Sequence, residues 1–261
     1  MGLIFTGGIN FMNLKAIIFD VDGTIAETER DGHRIAFNRA FERENLSWHW
    51  DVDLYGELLE IGGGKERIRY YISNYLPSFN INQSLDEFIA HLHLLKSRYY
   101  RQLLENNSIP LRLGVKRLIQ EAYSQGVKVA IASTASVANV EALLETSLGN
   151  PMASWFEVIA AGDMVERKKP APDIYLLALE KLNLSPHECI AIEDTNQGLT
   201  AAVKAGLKTV VTVNQYTEKQ NFDEAILVLN HLGEKDLPFR VIQGENYGEK
   251  YFNLSLAEKL I

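Results

Sequence analysis

Short apolar runs recur along the chain, and most of them end in polar residues. The clearest run covers residues 15–20 and leads into the turn Asp20-Val21-Asp22-Gly23. Continuous apolar runs of this length are typical of parallel strands that are buried on both faces. Comparable runs cover residues 127–133, 156–160, 189–193 and 207–213, with a weaker one at 225–229.

Helical patterns lie between these runs, at residues 114–124, 136–146, 174–182 and 198–204. Strands that alternate with helices predict an α/β fold in which helices cover both faces of a parallel sheet. Residues 27–104 break the alternation, because they contain no convincing strand. Their apolar positions fall three and four residues apart, as in a helix with one buried stripe: Phe88, Leu92, Leu95, Tyr99 and Leu103.

The alternation therefore predicts an α/β core with an inserted α-helical cap. Further helical patterns cover residues 32–43 and 66–76, and Ile109-Pro110 marks the return to the sheet. We assign residues 13–26 and 110–235 to the core, 27–109 to the cap and 236–261 to a C-terminal extension. This last stretch is polar and irregular up to residue 254, which predicts a surface wrap.

Composition narrows the possible functions and partners. Of 261 residues, 46% are hydrophobic, which is enough for a core, and the single cysteine, Cys189, excludes an intramolecular disulfide. The net charge of −8 argues against binding to nucleic acid or to an anionic membrane. Residues 1–11 lack the basic start of a signal peptide, and no apolar run reaches 18 residues. We expect a cytoplasmic monomer, or a plastid protein if the host is a photosynthetic eukaryote.

Polar residues cluster where the predicted strands end. The first strand ends at Asp20, Asp22 and Thr24, and the fourth at Glu193-Asp194. The second ends at Ser133-Thr134, and a loop before a later helix carries Lys168-Lys169-Pro170. Ligands bind outside the carboxyl ends of the strands in open α/β sheets, so we expect these segments to meet in one crevice.

The side chains at these strand ends suit phosphoryl transfer. Clustered carboxylates favour a hard divalent cation, and oxygen-only ligands suit Mg²⁺. A carboxylate can attack phosphorus when a metal ion and a lysine offset the negative charge. A second carboxylic acid two residues on, here Asp22 after Asp20, can protonate the leaving oxygen and later activate water.

Plainer interpretations exist for the same residues. The aspartates could be turn and cap residues at strand ends, and Lys169 a solvated neighbour of Lys168. Ser133 and Thr134 could cap the following helix. Three carboxylates at strand ends, together with a lysine in the matching loop, make coincidence a poor explanation.

The four segments, taken in order, resemble the four motifs of the haloacid-dehalogenase (HAD) superfamily of phosphohydrolases. The matching residues are Asp20-x-Asp22-x-Thr24, Ser133, Lys169 before Pro170, and Glu193-Asp194. The resemblance implies a HAD-like, Rossmann-type core. The acid at Asp22 favours phosphoryl transfer over the dehalogenase branch.

The resemblance also implies a role for each residue. Asp20 would be the nucleophile and a Mg²⁺ ligand, and Asp22 the general acid and base, with its backbone carbonyl on the metal. Asp194 would complete the protein ligands, with Glu193 in or near the shell. Lys169 would offset the charge of Asp20. The residues expected to bind the phosphorylated substrate in the core are Thr24, Ser133 and Thr134.

The predicted cap contains two candidate substrate-binding segments. Gly63 and Gly64 precede a predicted helix whose first turn carries Lys65 and Arg67, which together suit a second phosphate. Glu27 and His33, close to the first motif, could hold sugar hydroxyls.

Several stretches resemble CbbY-type proteins in particular. They are residues 26–29, 32–38, 61–67 and 167–175. This family implies hydrolysis of xylulose-1,5-bisphosphate, an inhibitory by-product of Rubisco, and two phosphate sites would suit a bisphosphate. The chain also resembles β-phosphoglucomutases, but it has Val137 where a lysine commonly follows their second motif. A sugar phosphate mutase, another phosphometabolite phosphatase and a non-catalytic phosphometabolite-binding regulator stay as alternatives.

Overall fold

A parallel sheet forms the centre of the molecule. The computed structural model describes residues 13–61, 63–106 and 109–261. Within these residues seven strands pair in the order β3-β2-β1-β4-β5-β6-β7, and only β7 is antiparallel to its neighbour. The strands are β1 (Ala16–Phe19), β2 (Lys128–Ala132), β3 (Phe156–Ala160), β4 (Cys189–Glu193), β5 (Lys208–Thr212), β6 (Leu227–Leu229) and β7 (Val241–Gly244). The predicted parallel α/β fold is confirmed.

Helices cover both faces of this sheet because alternate strand residues point to opposite sides. Ile17 and Phe19 of β1 enter one apolar cluster, and Ala16 and Ile18 enter the other. On the first face lie α5 (Val115–Ser124), α6 (Val137–Leu148) and α9 (Leu254–Leu260). On the second face lie α7 (Asp173–Leu182) and α8 (Asn196–Lys204).

The helical block between β1 and β2 has an aromatic core of its own. It consists of a π-helical turn (Thr28–His33), α1 (Arg34–Arg43), α2 (Val52–Leu58), α3 (Gly64–Tyr75) and α4 (Leu85–Glu105). Phe37, Phe41, Trp48 and Trp50 pack together at its centre. The two tryptophans are therefore packing residues of this block. The exact boundaries of the cap, at residues 27 and 109, stay a prediction.

Helix α4 joins the two parts of the molecule. Phe88 and Leu92, in its first half, belong to the aromatic cluster of the cap. Tyr100 and Leu103, in its second half, belong to the apolar cluster on the sheet.

The C-terminal stretch departs from the predicted irregular wrap. β7 pairs antiparallel with β6, and Phe252 and Leu256 are buried against the sheet domain. The prediction of irregular structure is wrong over residues 241–244. A four-residue edge strand with half-exposed side chains has too weak a pattern to detect without its partner strand. The predictions for residues 1–11 lie outside the described residues. Within those described, no helix combines the length and the apolar character needed to cross a membrane.

Candidate active site

Three carboxyl groups converge at the carboxyl ends of β1 and β4. The strands are in register, with Phe19 beside Ile192, and the N–H of Asp20 donates a 2.9 Å hydrogen bond to the carbonyl of Ile192. Asp20, Glu193 and Asp194 are all buried, and each offers a carboxylate oxygen within 4.8 Å of the others. The predicted crevice therefore brings together carboxylates 174 positions apart in the chain.

Lys169 neutralises part of this negative charge. Its Nζ donates to Oδ1 of Asp20 and to Oε1 of Glu193, both at 2.6 Å, and to the carbonyl of Ala132 at 2.8 Å. The lysine side chain is only 6% exposed, whereas Lys168 is exposed. Burial lowers the pKa of Lys169, but the two carboxylates outweigh burial and raise it above its ordinary value, so the side chain is charged.

The remaining negative charge fits a bound cation. Burial and the charge of Glu193 raise the pKa of Asp20 to about 7, against the opposing effect of Lys169. Burial, then Asp20 and Glu193, raise the pKa of Asp194 well above its ordinary range. Buried carboxylates of this kind need a compensating charge, and their oxygen atoms suit a hard divalent metal ion.

The geometry divides the metal-ligand candidates into two groups. Oε1 of Glu193 accepts hydrogen bonds from Lys169 and from the hydroxyl of Tyr175, the latter at 2.6 Å. That oxygen is therefore occupied, and Asp20 and Asp194 are the better ligand candidates. The carboxylate of Asp22 is not part of the acidic cluster found in the described residues. Its predicted contact with the metal is through the backbone carbonyl and stays a prediction.

Two glycines make room for these carboxylates. Gly23 has φ +83°, and a Cβ there would overlap Oδ2 of Asp194. A Cβ on Gly198, in the first turn of α8, would overlap the carboxylate of Glu193. Both positions therefore require glycine, one for its backbone conformation and both for the close approach.

Asp22 lies beside the acidic cluster in a different environment. Its Oδ1 accepts a 2.6 Å hydrogen bond from the hydroxyl of Thr28, and Nε2 of His33 lies 4.0 Å away. Burial raises the pKa of Asp22 to about 6, and the charge of Glu29 contributes to the increase. A carboxyl group that titrates near neutral pH can both donate and accept a proton during turnover.

The two predicted cap cations occupy different environments. Arg67 is buried, and its guanidinium donates to the carbonyl of Leu58 at 2.9 Å and to the hydroxyl of Tyr55 at 3.0 Å. Arg67 lines the same pocket as Asp20. Lys65 is exposed and is not among the described residues that line this pocket. The structure therefore separates the predicted pair.

The other predicted cap residues have structural contacts. Gly63 has φ +94° and immediately precedes α3, and a Cβ on Gly64 would lie 2.7 Å from the ring of His93. Gly62, between Ile61 and Gly63, lies outside the described residues. Oε1 of Glu27 lies 3.1 Å from Nε of Arg112, and Glu27 lines the pocket. Nδ1 of His33 lies 3.0 Å from Nζ of Lys96.

The predicted phosphate-binding hydroxyls differ in position. Ser133 is fully buried, and its Oγ accepts a 3.1 Å hydrogen bond from the N–H of Ala135. Thr134 lines the pocket. Helix α6 begins after Ser136, so neither Ser133 nor Thr134 is its N-cap. Thr24 is buried and donates a 3.4 Å hydrogen bond to Asp194.

Several polar residues at the site were missed from the sequence. Nδ2 of Asn214 donates to Oδ2 of Asp194 at 2.7 Å. Tyr55 donates to Oε2 of Glu29 at 2.6 Å. Burial lowers the pKa of Lys96 to about 8. None of the three lies in a motif, and the weak signal for Lys96 is a charge beside the apolar stripe of its helix.

A cavity of about 310 Å³ connects these groups. From the sheet domain it is lined by Asp20, Asp22, Lys169 and Asp194, and from the helical block by Arg67. A larger, open groove of about 740 Å³ runs along α1 beside Trp48. Its described lining contains none of the converging carboxylates, so the smaller cavity is the candidate active site.

Comparison with known proteins identifies the family. Residues 14–206 match the model of the haloacid dehalogenase-like hydrolases. The chain belongs to this family. The HAD-like chain is 44% identical, over 225 residues, to the plasmid-encoded protein CbbY of Cupriavidus necator. The match covers 86% of this chain and 88% of that protein. The resemblance to CbbY-type proteins is confirmed, and the chain is a phosphoric monoester hydrolase.

Solved structures agree with this assignment of the HAD-like chain. A variant of CbbY from Rhodobacter sphaeroides, in complex with xylulose-1,5-bisphosphate, is 43% identical with a TM-score of 0.72. The match covers 84% of this chain and 94% of that chain. β-Phosphoglucomutase from Clostridium difficile is 23% identical with a TM-score of 0.62, covering 82% and 90% of the two chains. At that identity the comparison shows the fold alone.

Proposed function

We propose that the protein is a Mg²⁺-dependent phosphatase that hydrolyses a sugar bisphosphate, with xylulose-1,5-bisphosphate as the first candidate. The observation that carries this proposal is the single cavity lined by Asp20 and Lys169 from the sheet domain and by Arg67 from the cap. A nucleophile and a buried arginine in one cavity suit a substrate with a phosphate at each end. The related CbbY structure with xylulose-1,5-bisphosphate supports the choice of substrate.

The first half of the proposed reaction transfers the phosphoryl group to the protein. A carboxylate oxygen of Asp20 attacks phosphorus, and the bond between phosphorus and the sugar oxygen breaks. Asp22, protonated at its carboxyl, gives its proton to the leaving alkoxide. Lys169, 2.6 Å from Asp20, offsets the negative charge that gathers there.

The second half hydrolyses the aspartyl-phosphate. Asp22, now ionised, takes a proton from water, and the resulting hydroxide attacks phosphorus and releases phosphate from Asp20. Mg²⁺, held by Asp20 and Asp194 with Glu193 beside them, would supply positive charge to the phosphoryl oxygens. Thr134, which lines the cavity, would contact the same phosphate.

A phosphate-release assay on paired sugar monophosphates and bisphosphates tests this function. We expect the bisphosphate to have the higher kcat/KM, to require Mg²⁺ and to give one phosphate per turnover. Asp20→Asn should abolish release while the melting temperature stays that of a folded protein. Equal or greater turnover of the monophosphates would instead favour another phosphometabolite phosphatase.

The mutase alternative has its own assay. Incubation with β-glucose 1-phosphate and a bisphosphate primer would produce glucose 6-phosphate without net phosphate release. Val137, in the first turn of α6, leaves that helix start without the lysine typical of β-phosphoglucomutases, so we expect hydrolysis. A link to Rubisco, a cytoplasmic or plastid location and a monomeric state stay predictions. The charge of −8 argues against nucleic acid and an anionic membrane as partners, and a small phosphorylated sugar stays the expected partner.

A further inference from the structure

One short turn after β5 contacts both the acidic cluster and the cap. Nδ2 of Asn214 donates to Asp194, and Oδ1 of Asn214 accepts a 2.9 Å hydrogen bond from the N–H of Tyr216. The hydroxyl of Thr217 accepts from the N–H of Asn214 at 3.0 Å, and the N–H of Thr217 donates back to the carbonyl of Asn214 at 3.1 Å. The side chain of Asn214 therefore links Asp194 to the backbone of Tyr216, and two hydrogen bonds between Asn214 and Thr217 close the turn.

The ring of Tyr216 packs on the helical block, although the residue belongs to the sheet domain. Its centroid lies 6.0 Å from that of Tyr55, at an interplanar angle of 62°. A Cβ on Gly56 would lie 3.0 Å from Cδ1 of Tyr216, so the helix and the ring are in close contact. Tyr216 is partly buried against the aromatic cluster of the cap.

Tyr55 connects Tyr216 to two residues that line the pocket. Its hydroxyl donates to Glu29 and accepts from Nη1 of Arg67, and both partners line the cavity. The hydroxyl of Tyr216 itself is buried and has no hydrogen-bond partner among the described residues. The ring of Tyr216, rather than its hydroxyl, is therefore the part that makes the contact with Tyr55.

We propose that Tyr216 is a positioning residue that acts through Tyr55 to hold Arg67 against the substrate. Asn214 fixes the turn that carries Tyr216 to Asp194. The turn thereby couples the reacting end of the pocket to the end that binds the second anionic group of the substrate. This inference rests on the proposed function, because it assigns that second group to Arg67.

The test compares Tyr216→Ala with Tyr216→Phe on two substrates. The first is xylulose-1,5-bisphosphate, and the second is p-nitrophenyl phosphate, which has no second anionic group. We expect Tyr216→Ala to lower the ratio of the two kcat/KM values about tenfold, mainly through KM for the bisphosphate, as expected when a binding group loses its fixed position. Tyr216→Phe should keep the ratio within about twofold, because it retains the ring.

Gly56→Ala probes the contact from the other side. The added methyl group would displace the ring of Tyr216, while alanine favours the helix more than glycine does. We expect Gly56→Ala to lower the ratio of the two kcat/KM values as much as Tyr216→Ala does, without lowering the melting temperature. This variant also covers the case in which Tyr216→Ala does not fold. Equal loss on both substrates, or a loss for Tyr216→Phe as large as for Tyr216→Ala, would overturn the proposal.

The coupling and the proposed function can fail separately. The preference of the wild type for a bisphosphate over its monophosphate tests the function. A double-mutant cycle of Tyr216→Ala and Arg67→Ala, on whichever sugar phosphate is hydrolysed, tests the coupling. We expect Tyr216→Ala to lower kcat/KM by less than about twofold when residue 67 is already alanine, because Tyr216 acts through Arg67. Fully additive losses would contradict the coupling.

Discussion

Nζ of Lys169 lies 2.6 Å from Oδ1 of Asp20, and both side chains are almost completely withdrawn from water. The ammonium group of Lys169 donates hydrogen bonds to two of the three clustered carboxylates, those of Asp20 and Glu193. Lys169 therefore stabilises the fold as well as the proposed nucleophile.

Replacing Lys169 by methionine should destabilise the folded protein, because the buried carboxylates would lose their positively charged partner. Removing one partner of a buried ion pair typically costs about 3–5 kcal/mol, so we expect a loss of this size in the free energy of unfolding of the metal-free protein. Denaturant unfolding measures it. Lys168→Met is the matched control, because that lysine is exposed and should change stability by less than about 0.5 kcal/mol. Similar losses for both variants would contradict the assignment.

Arg67 and Lys65 should respond differently to truncation. Hydrogen bonds to charged groups contribute about 1.5–3 kcal/mol, so Arg67→Ala should raise KM for a bisphosphate at least about tenfold. Lys65→Ala should change it less than about twofold, because that side chain is exposed outside the cavity. Steady-state kinetics on a bisphosphate and its monophosphate measure both. An effect of Lys65→Ala equal to that of Arg67→Ala would restore the paired site predicted from the sequence.

Asn214 should influence metal affinity without itself binding metal. Its amide orients Asp194, and loss of such outer contacts commonly weakens metal binding about 10–100-fold. We expect Asn214→Ala to shift the Mg²⁺ dependence of phosphate release by this factor. Asn221→Ala serves as the control, since that exposed amide contacts Asp223 instead. An unchanged Mg²⁺ titration for Asn214→Ala would argue against the role of Asp194 as a ligand.

The environment of Asp22 should make the stability of the metal-free protein depend on pH. Burial raises the folded-state pKa from 3.8 to about 6, so the folded protein holds this proton more tightly than the unfolded chain. Its stabilising contribution is complete below pH 4 and is lost as the pH rises through about 6. Asp22→Asn removes the ionisation and should become more stable than the wild type, by about 3 kcal/mol above pH 7.

Unfolding at pH 4.5 and pH 7.5 measures this difference between Asp22→Asn and the wild type. The advantage of the variant should be small at the lower pH and large at the higher one. A difference that stays constant across this range would show that Asp22 titrates as an ordinary surface carboxyl.

The sequence predicts the parts of the fold that depend on local pattern. The strands β1 to β5 are continuous apolar runs, because each is covered by helices on both faces, and this pattern is visible without coordinates. Asp20, Asp22 and Asp194 follow such runs directly, so their convergence follows from the topology of a parallel sheet. Lys169 lines the pocket, and in the sequence only a motif distinguishes it from Lys168.

Other parts depend on contacts between distant segments. Tyr55 and Asn214 belong to no motif, and their roles come from neighbours 26 and 20 positions away. Lys65 and Arg67 are two positions apart, yet helical geometry places one in solvent and the other against Tyr55. The π-helical turn Thr28–His33 is likewise invisible to a pattern of period 3.6, although it brings His33 within 4.0 Å of Asp22.

The unbroken course of α4 between the two apolar clusters limits how the molecule can open. A continuous helix tilts as one body, so the cap cannot move as freely as it could on a flexible linker. Phe88 would move with the cap, while Leu103 would remain packed on the sheet. Lys96 lies between these two residues in the helix. Any opening of the cavity would then be a small tilt of the cap relative to the sheet.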